Sequence, residues 1–381
     1  MRISSIVLIG ASVLLRCDWE PWDGSGSPTL EEYWELSEKP AFSISESSQE
    51  PSFQLFNAWS GVILNDETIA VGNHGTQEVI LFDYEGRALK VIGGTGSGPG
   101  EFQTISGLFV AQDGLGVWDP PARRLSTFSS QGEYLGSTSL NEAAGGVVAG
   151  VLDGMGVVTV SGRATGDPRQ ILVWNAQGET VLDFEGPAAP AESLISWTVS
   201  RGEREMTRRT SLPPACIAYA EEAVIGGVIF ALVNGSAVQG FSSEGNSWEV
   251  YRATSTPRLT ERHLEAVRGL FRNDSRFSEL DVPEDVLGSA LRRIGDIGDP
   301  LPAWVRVSPD PSGRLWLERG SCGAPLDGPK TFDIIDVETG YVASVVIPKQ
   351  LRVLGVRDEW VLVLRRGNLD VEHVELYELR H

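Results

Sequence analysis

The amino-acid sequence predicts an all-β fold made of repeated four-stranded units, and three observations support this prediction. A strand that ends in a turn through glycine recurs, and the turn glycines Gly86, Gly132 and Gly178 are separated by equal intervals of 46 residues. A hairpin with a tight turn at Asn, Asp or Gly precedes each of these strands. Six such units can be counted, and a period of roughly 40 to 50 residues is typical of propeller blades. The sequence therefore predicts a six-bladed β-propeller.

The repeated strand can be followed through the chain. Its copies lie at residues 79–86, 124–132, 171–178, 237–245, 332–340 and 374–381. The last unit lacks the strand that follows the turn in the others. A propeller removes such an open sheet edge by closing its ring. We therefore expect residues 41–56, AFSISESSQEPSFQLF, to supply the missing outer strand.

Two insertions interrupt the period. Residues 185–215 are expected to contain a loop followed by a pair of strands. Residues 257–300 contain two segments with helical periodicity, 260–271 and 282–294, in which apolar side chains recur on one face. The sequence thus predicts a short two-helix insertion between blades four and five, which we expect to cap one end of the ring.

A glycine-rich loop at residues 91–102, VIGGTGSGPGEF, raises the question of phosphate binding. It lacks the glycine spacing of a dinucleotide-binding loop and the Lys and Ser/Thr of a Walker loop. The pattern instead favours a crossing from the outer strand of one blade to the inner strand of the next, because glycine accepts backbone angles that other residues resist. We expect Phe102 to pack between these two blades.

Residues 81–136 resemble NHL-type repeats, and more closely the exported six-bladed propeller lipoproteins of bacteria. The resemblance rests on Gly96 to Phe102, Asp113-Gly114, Val117 to Asp119, Arg123 or Arg124, and Phe128 to Gly132. It is specific for the first two blades and becomes a general hairpin pattern later, although residues 301–318 are similar to the family's fifth blade. The resemblance implies a propeller fold and an exported, lipid-anchored protein.

The N-terminal segment has the form of a secretory signal, with a positive charge at Arg2 and an apolar stretch from Ile3 to Leu15. Because the stretch is followed by Cys17, it resembles a bacterial lipoprotein signal in which this cysteine carries the lipid. Arg16 departs from the pattern, which favours Gly, Ala or Ser before the cysteine. An uncleaved anchor and a different start codon are the alternatives. We expect an exported, periplasmic or cell-surface lipoprotein.

The predicted organisation has three parts: a signal segment (1–17), a flexible acidic tether (18–40) and the propeller (41–381). The tether is rich in Ser, Gly and Pro, as flexible linkers are. Cys216 and Cys322 form either a disulfide or two separate buried thiols, and their spacing in the sequence does not distinguish these two alternatives.

The overall charge limits the classes of partner. The chain has 381 residues, a formal net charge of -21 and a pI near 4.6. Nucleic acid and anionic membrane surfaces are disfavoured, because phosphates are bound by clustered Lys and Arg. We expect a monomer that has no nucleic-acid partner and contacts a membrane only through its N-terminal anchor.

Candidate site residues lie where the second hairpin strand of several blades ends, at the same end of the ring as the glycine-rich loop. They are His74, Arg123 with Arg124, Arg163, Arg319, and Arg366 with Arg365. We predict that they form a cationic rim around the central channel and bind an anionic ligand, because arginine binds carboxylates and sulfates through paired hydrogen bonds. The alternative is that each arginine pairs with a nearby acid, such as Glu318, Asp167 or Asp370.

No catalytic set can be recognised in the sequence. The four histidines form no His-x-x-His or Glu-x-x-His pair on a predicted helix, and a G-x-S-x-G motif is absent. The sequence therefore favours a binding or scaffold protein that presents its loop face to a protein, a peptide or an anionic glycan. The alternative is a metal-dependent hydrolase or lyase with a divalent ion at the channel mouth. No cofactor is predicted, and the sequence does not decide whether a divalent metal such as calcium is bound.

Overall fold

The computed structural model describes residues 32–381, apart from residues 46–54, 66, 113, 141–145, 154–155, 162–167, 188–193, 202–203, 213–220, 254, 325–327, 341 and 368–370. Strands dominate these residues, which confirms the prediction of an all-β, propeller-like fold. Two strands come first, β1 (Glu32–Leu36) and β2 (Phe42–Ser45).

Three antiparallel units of four strands follow in the described chain. Unit one contains β3 (Ala58–Ile63), β4 (Ile69–Asn73), β5 (Glu78–Phe82) and β6 (Ala88–Gly93). Unit two contains β7 (Gly107–Ala111), β8 (Gly114–Asp119), β9 (Arg124–Phe128) and β10 (Tyr134–Ser139). Unit three contains β11 (Val147–Leu152), β12 (Gly156–Val160), β13 (Arg169–Trp174) and β14 (Thr180–Gly186). Within each unit the strands pair in chain order.

The second half of the chain repeats this plan with two additions. A hairpin of β15 (Leu194–Arg201) and β16 (Arg204–Ser211) comes first. Unit four contains β17 (Glu222–Ile225), β18 (Val228–Val233), β19 (Ala237–Ser242) and β20 (Ser247–Arg252). Helices α1 (Glu261–Asn273), α2 (Ser275–Ser278) and α3 (Glu284–Leu291) follow it. Unit five contains β21 (Trp304–Asp310), β22 (Arg314–Arg319), β23 (Lys330–Asp336) and β24 (Val342–Ile347). The last strands are β25 (Leu351–Arg357), β26 (Trp360–Arg366) and β27 (Glu372–Arg380).

The units are arranged around a common axis. The first strand of each unit contacts the first strand of the next, in the cyclic order β3, β7, β11, β17, β21, β25 and back to β3. Each of these strands is the end strand of its unit, so one of its edges pairs with no other strand of the described chain. The first strands are therefore the innermost strands of the ring.

The N-terminal strands complete the last unit. β2 pairs antiparallel with β27, which places Phe42 opposite Leu376. β1 runs parallel to β24 and pairs antiparallel with the end of β27, so it joins unit five to the last unit. β1 lies within residues 18–40, for which the sequence predicts a tether. A strand forms there because Trp34 is buried beside Val345, between the two units.

The turns between third and fourth strands share one hydrogen-bonding pattern. A side-chain oxygen of the first turn residue accepts two hydrogen bonds from the backbone. One donor is the N–H of the second residue after it, and the other is the N–H of the third or fourth residue after it. The residues that accept are Asp83, Ser129, Asn175, Ser242 and Asp336. Gly86, Gly132 and Gly178 follow three of them and adopt φ values of 78°, 76° and 78°, which residues with a Cβ resist. Their regular spacing in the sequence thus reflects a repeated turn.

The glycine-rich loop is part of this architecture. Phe102 is fully buried among side chains of units one and two, and its ring centroid lies 6.1 Å from that of Phe128. This confirms the prediction that Phe102 packs between two blades. Backbone N–H groups of the loop are used within it: Gly96 donates to the carbonyl of Phe102 at 3.1 Å, and Gly98 donates to the carboxylate of Glu101 at 2.8 Å.

The hairpin of β15 and β16 shares a hydrophobic core with the helices. This core contains Ile195, Trp197, Val267, Phe271 and Leu287. Cys322, in the loop after β22, packs against it and is disulfide-bonded, whereas Cys17 and Cys216 lie outside the described residues. No helix in the described parts of the chain has the length and apolar character that a bilayer crossing requires.

Candidate anion-binding site

The innermost strands surround a central cavity of about 850 Å³. Its wall includes residues from all of these strands: Trp59, Phe109, Ala149, Val224, Arg306 and Arg352. Small-molecule sites in proteins commonly occupy about 300 to 1,000 Å³, so the cavity has the size of a ligand site.

The charge of the cavity wall is opposite to that of the whole chain. Among the described residues that line it, six are cationic and two are acidic. The cations are Arg306, Lys330, Lys349, Arg352, Arg357 and Arg366, and the acids are Asp153 and Glu318. In a chain with a net charge of -21, the charged residues of this wall are thus mostly positive.

Several of these cations lie at one end of the cavity, which we call the entry end and define as the end where the innermost strands begin. Arg352 is the second residue of β25, and Arg306 is the third residue of β21. Arg366 ends β26 and Lys330 begins β23. Antiparallel pairing places these strand ends beside the start of the innermost strands. Arg357 ends β25 and therefore lies at the opposite end.

Arg352 is a half-buried cation that forms no ion pair with an acid among the described residues. Its guanidinium lies over the indole of Trp59, 4.5 Å from the ring centroid, and donates a hydrogen bond of 2.6 Å to the Trp59 carbonyl oxygen. No carboxylate of the described residues forms an ion pair with Arg352, and its Nε has no hydrogen-bond partner there. Burial and the positive charges of Arg366 and Arg306 lower the pKa of Arg352, although Glu372 raises it. An anion beside Arg352 would stabilise its charge.

Other cations at the entry end are paired. Arg366 lies 3.1 Å from Glu372, and Lys330 lies 2.7 Å from Glu318. Arg306 is 4.0 Å from the same Glu318. The described residues contain no group of three or more His, Cys, Asp or Glu side chains that could hold a metal ion.

Two of the residues predicted from the sequence lie close to Arg352. Arg366 lines the cavity, and its charge acts on Arg352 directly. His74 Nε2 lies 3.5 Å from the hydroxyl of Ser60, and its ring centroid is 6.5 Å from that of Trp59. Burial, followed by the charge of Arg352, lowers the pKa of His74.

The other predicted residues lie elsewhere. Arg319 forms an ion pair of 2.6 Å with Asp333, which is the arrangement of the alternative interpretation, and Arg123 adopts a φ of 47° in the turn before β9. Neither is among the residues that line the cavity. Arg163 and the predicted lipidation residue Cys17 lie outside the described residues.

Three cations of the cavity wall were not predicted, because they lie on first and third strands, whereas the candidate residues from the sequence lie at the ends of second strands. These cations are Arg306, Arg352 and Lys330. The available signal is a basic residue inside an otherwise apolar first strand, as in LRVLGVR at residues 351–357. Its meaning depends on knowing which strands are innermost.

Comparisons with known proteins match one family model and several solved structures. The family model DUF5128, a 6-bladed beta-propeller, matches residues 54–149, and no curated protein matches the chain. Similar solved structures include a predicted exported protein from Bacteroides fragilis, with 12% identity over 92% of this chain and 98% of that chain and a TM-score of 0.48. A member of the DUF4221 family from Bacteroides vulgatus has 11% identity over 92% of this chain and 100% of that chain, with a TM-score of 0.48. The family match supports a β-propeller fold for this chain.

Proposed function

We propose that the chain is a six-bladed β-propeller that binds an anionic ligand at the entry end of its channel and acts as a binding or scaffold protein. In this proposal, units one to five are the first five blades, and β25, β26, β27 and β2 form the sixth. The helical insertion, which contains α1, α2 and α3, lies between blades four and five. The ligand is a peptide, a glycan or a partner protein that presents a negative charge.

The observation that carries the proposal is the environment of Arg352. Burial and two neighbouring arginines disfavour its charge, and no acid of the described residues is paired with it. A bound anion would replace lost hydration with charge-assisted hydrogen bonds. Because the charges of Arg366 and Arg306 also act on Arg352, an anion bound beside Arg352 would be attracted by more than one arginine.

The distribution of charge supports the same function. The chain as a whole is acidic, whereas the charged residues that line the entry end of the cavity are mostly cations. A cleft of one sign within a surface of the other sign focuses the field and raises the local concentration of oppositely charged ligands. Anionic ligands would therefore be drawn to the entry end rather than to the remaining surface.

We further propose that the protein is exported and tethered to a membrane through Cys17. The apolar stretch from Ile3 to Leu15 before this cysteine supports the proposal. Replacing Cys17→Ser is expected to move the protein from the membrane pellet to the soluble fraction of the producing cells. A Cys17→Ser protein that still sediments with membranes would contradict a lipid anchor at this position.

The test of ligand binding is calorimetric titration with citrate, a small polycarboxylate, at low salt. Arg352→Gln is expected to weaken citrate binding by about tenfold or more, because a charge-assisted hydrogen bond contributes roughly 1.5 to 3 kcal/mol. Arg87→Gln is the matched control, since Arg87 is exposed in the turn after β5, away from the cavity. Thermal unfolding of each variant checks that the fold is intact. Equal citrate affinity in all three proteins, or no citrate binding by the parent, would contradict the proposal.

A further inference from the structure

We infer that the anion bound at the entry end is an acidic saccharide whose carboxylate binds Arg352, whose ring packs on Trp59 and whose hydroxyl groups bond to the free strand edges of the cavity. This inference rests on the proposed anion site and names the class of ligand for it. Three features of the cavity wall lead to it.

The first feature is an exposed aromatic ring on the cavity wall. Trp59 is 54% exposed, although it lies on an innermost strand. The pairing of β3 with β4 passes from Ala58 opposite Asn73 to Ser60 opposite Gly72, so Trp59 is the extra residue of a β-bulge. A bulge changes the direction in which a side chain points. The indole consequently lines the cavity and leaves a large part of its surface accessible to a ligand.

The second feature is the contact between Trp59 and Arg352. The guanidinium lies over the indole and is also bonded to the Trp59 backbone, so the two side chains are held together. A carboxylate that binds Arg352 therefore brings the group that carries it next to the indole. In a hexuronate, the carboxylate is attached directly to a ring whose C–H face can pack on an aromatic surface. One sugar residue would thus match both side chains.

The third feature is the set of unpaired backbone edges that the innermost strands present to the cavity. Each innermost strand has an edge whose backbone N–H and C=O groups pair with no other strand among the described residues. Apolar side chains of these strands also line the cavity, among them Ile63 and Leu108, which are buried. A wall of alternating donors and acceptors fits hydroxyl groups, because each hydroxyl both donates and accepts.

An acidic peptide is the other ligand that free strand edges would accept. Addition of a peptide strand requires one edge that is open to solvent over several residues. Here the free edges face one another across a single cavity of about 850 Å³. A short oligosaccharide can bond to several edges at once, which favours the saccharide over the peptide.

The test compares four probes on the full chain by calorimetry: trigalacturonate, its neutral methyl ester, an acetylated and amidated tri-glutamate peptide, and citrate. We expect trigalacturonate to bind about tenfold or more tightly than the methyl ester and the peptide. Trp59→Ala is expected to weaken trigalacturonate by about tenfold or more, because truncation of a contacting tryptophan is among the costliest changes at a binding site. The same Trp59→Ala substitution should change the affinity for citrate by only about twofold. Trp59→Phe, which keeps an aromatic face, should recover part of the trigalacturonate affinity.

Failure of this inference can be told apart from failure of the anion site. If the tri-glutamate peptide binds as tightly as trigalacturonate, the ligand class is wrong while the anion site stands. Equal weakening of citrate and trigalacturonate by Trp59→Ala would lead to the same conclusion. A parent protein that binds neither citrate nor trigalacturonate would overturn both proposals.

Discussion

The guanidinium of Arg352 packs over the indole of Trp59, with 4.5 Å between the guanidinium carbon and the ring centroid, and this contact joins the last unit of the ring to the first. The two residues lie on β25 and β3, which are 293 residues apart at this contact. The pair can therefore form only when the ring is closed. Closure of the ring and assembly of the candidate site are consequently the same structural event.

His74 is expected to report the charge at Arg352. Burial and then the charge of Arg352 lower the pKa of His74. Arg352→Gln removes the second cause, so the pKa should rise, although burial keeps it below its ordinary value. Citrate bound to the parent protein should shift the pKa in the same direction, because a negative charge stabilises the imidazolium. An NMR pH titration of the His74 ring protons measures both shifts.

The matched control for this titration is again Arg87→Gln, which changes an exposed arginine in the turn after β5. The His74 pKa should be the same in this variant as in the parent. An unchanged His74 titration in Arg352→Gln would show that the two side chains do not interact electrostatically.

Features that depend on local chemistry could be predicted from the sequence. The positive φ of Gly86, the oxygen acceptor at Asp83 and the burial of Phe102 all follow from residues close to one another in the chain. The site could not be predicted in the same way. Arg352 and Trp59 acquire their roles only when distant strands become neighbours, and Trp34 makes β1 a strand only because two units meet beside it.

Glu375 is expected to hold the closing strand β2 in place. Its carboxylate is buried, accepts a hydrogen bond of 3.0 Å from the hydroxyl of Ser43, and forms an ion pair of 2.7 Å with Arg365. Glu375→Gln removes the charge opposite Arg365. We expect a loss on the order of 2 kcal/mol in the free energy of unfolding, less than for a fully buried pair because Arg365 is partly exposed. Urea denaturation at neutral pH measures this loss.

The contribution of Glu375 should depend on pH. Burial alone would raise the pKa of Glu375, but hydrogen bonds from Arg365, Ser43 and Tyr377 outweigh burial and lower it. A carboxyl with a lowered pKa stabilises the fold above its unfolded-state pKa and loses this effect as the pH falls through the folded-state value. The stability difference between parent and Glu375→Gln should therefore shrink below about pH 4. A constant difference down to low pH would contradict this explanation.

Arg169 and Glu222 form a fully buried ion pair between units three and four. Glu222→Leu removes the carboxylate of this buried pair and is expected to cost roughly 3 to 5 kcal/mol, because breaking a buried ion pair on one side is strongly destabilising. The double variant Arg169→Met with Glu222→Leu removes both charges, and it should recover most of that loss because apolar side chains carry no desolvation penalty. Urea midpoints of the parent, single and double variants test this. If the double variant is no more stable than the single one, loss of packing rather than loss of the ion pair explains the effect.

The N-terminal strands are expected to protect the edges of two sheets. β2 covers the outer edge of β27, and β1 lies between β24 and β27. Relative to a chain that begins at residue 32, a chain that begins at residue 38 lacks β1 and should unfold at a lower temperature, because the core around Trp34 becomes exposed. A chain that begins at residue 46 also lacks β2, and the bare edge of β27 should lead to dimers or aggregates. Size-exclusion chromatography and thermal unfolding separate these effects. A monomeric, equally stable chain that begins at residue 46 would mean that the ring closes without its N-terminal strands.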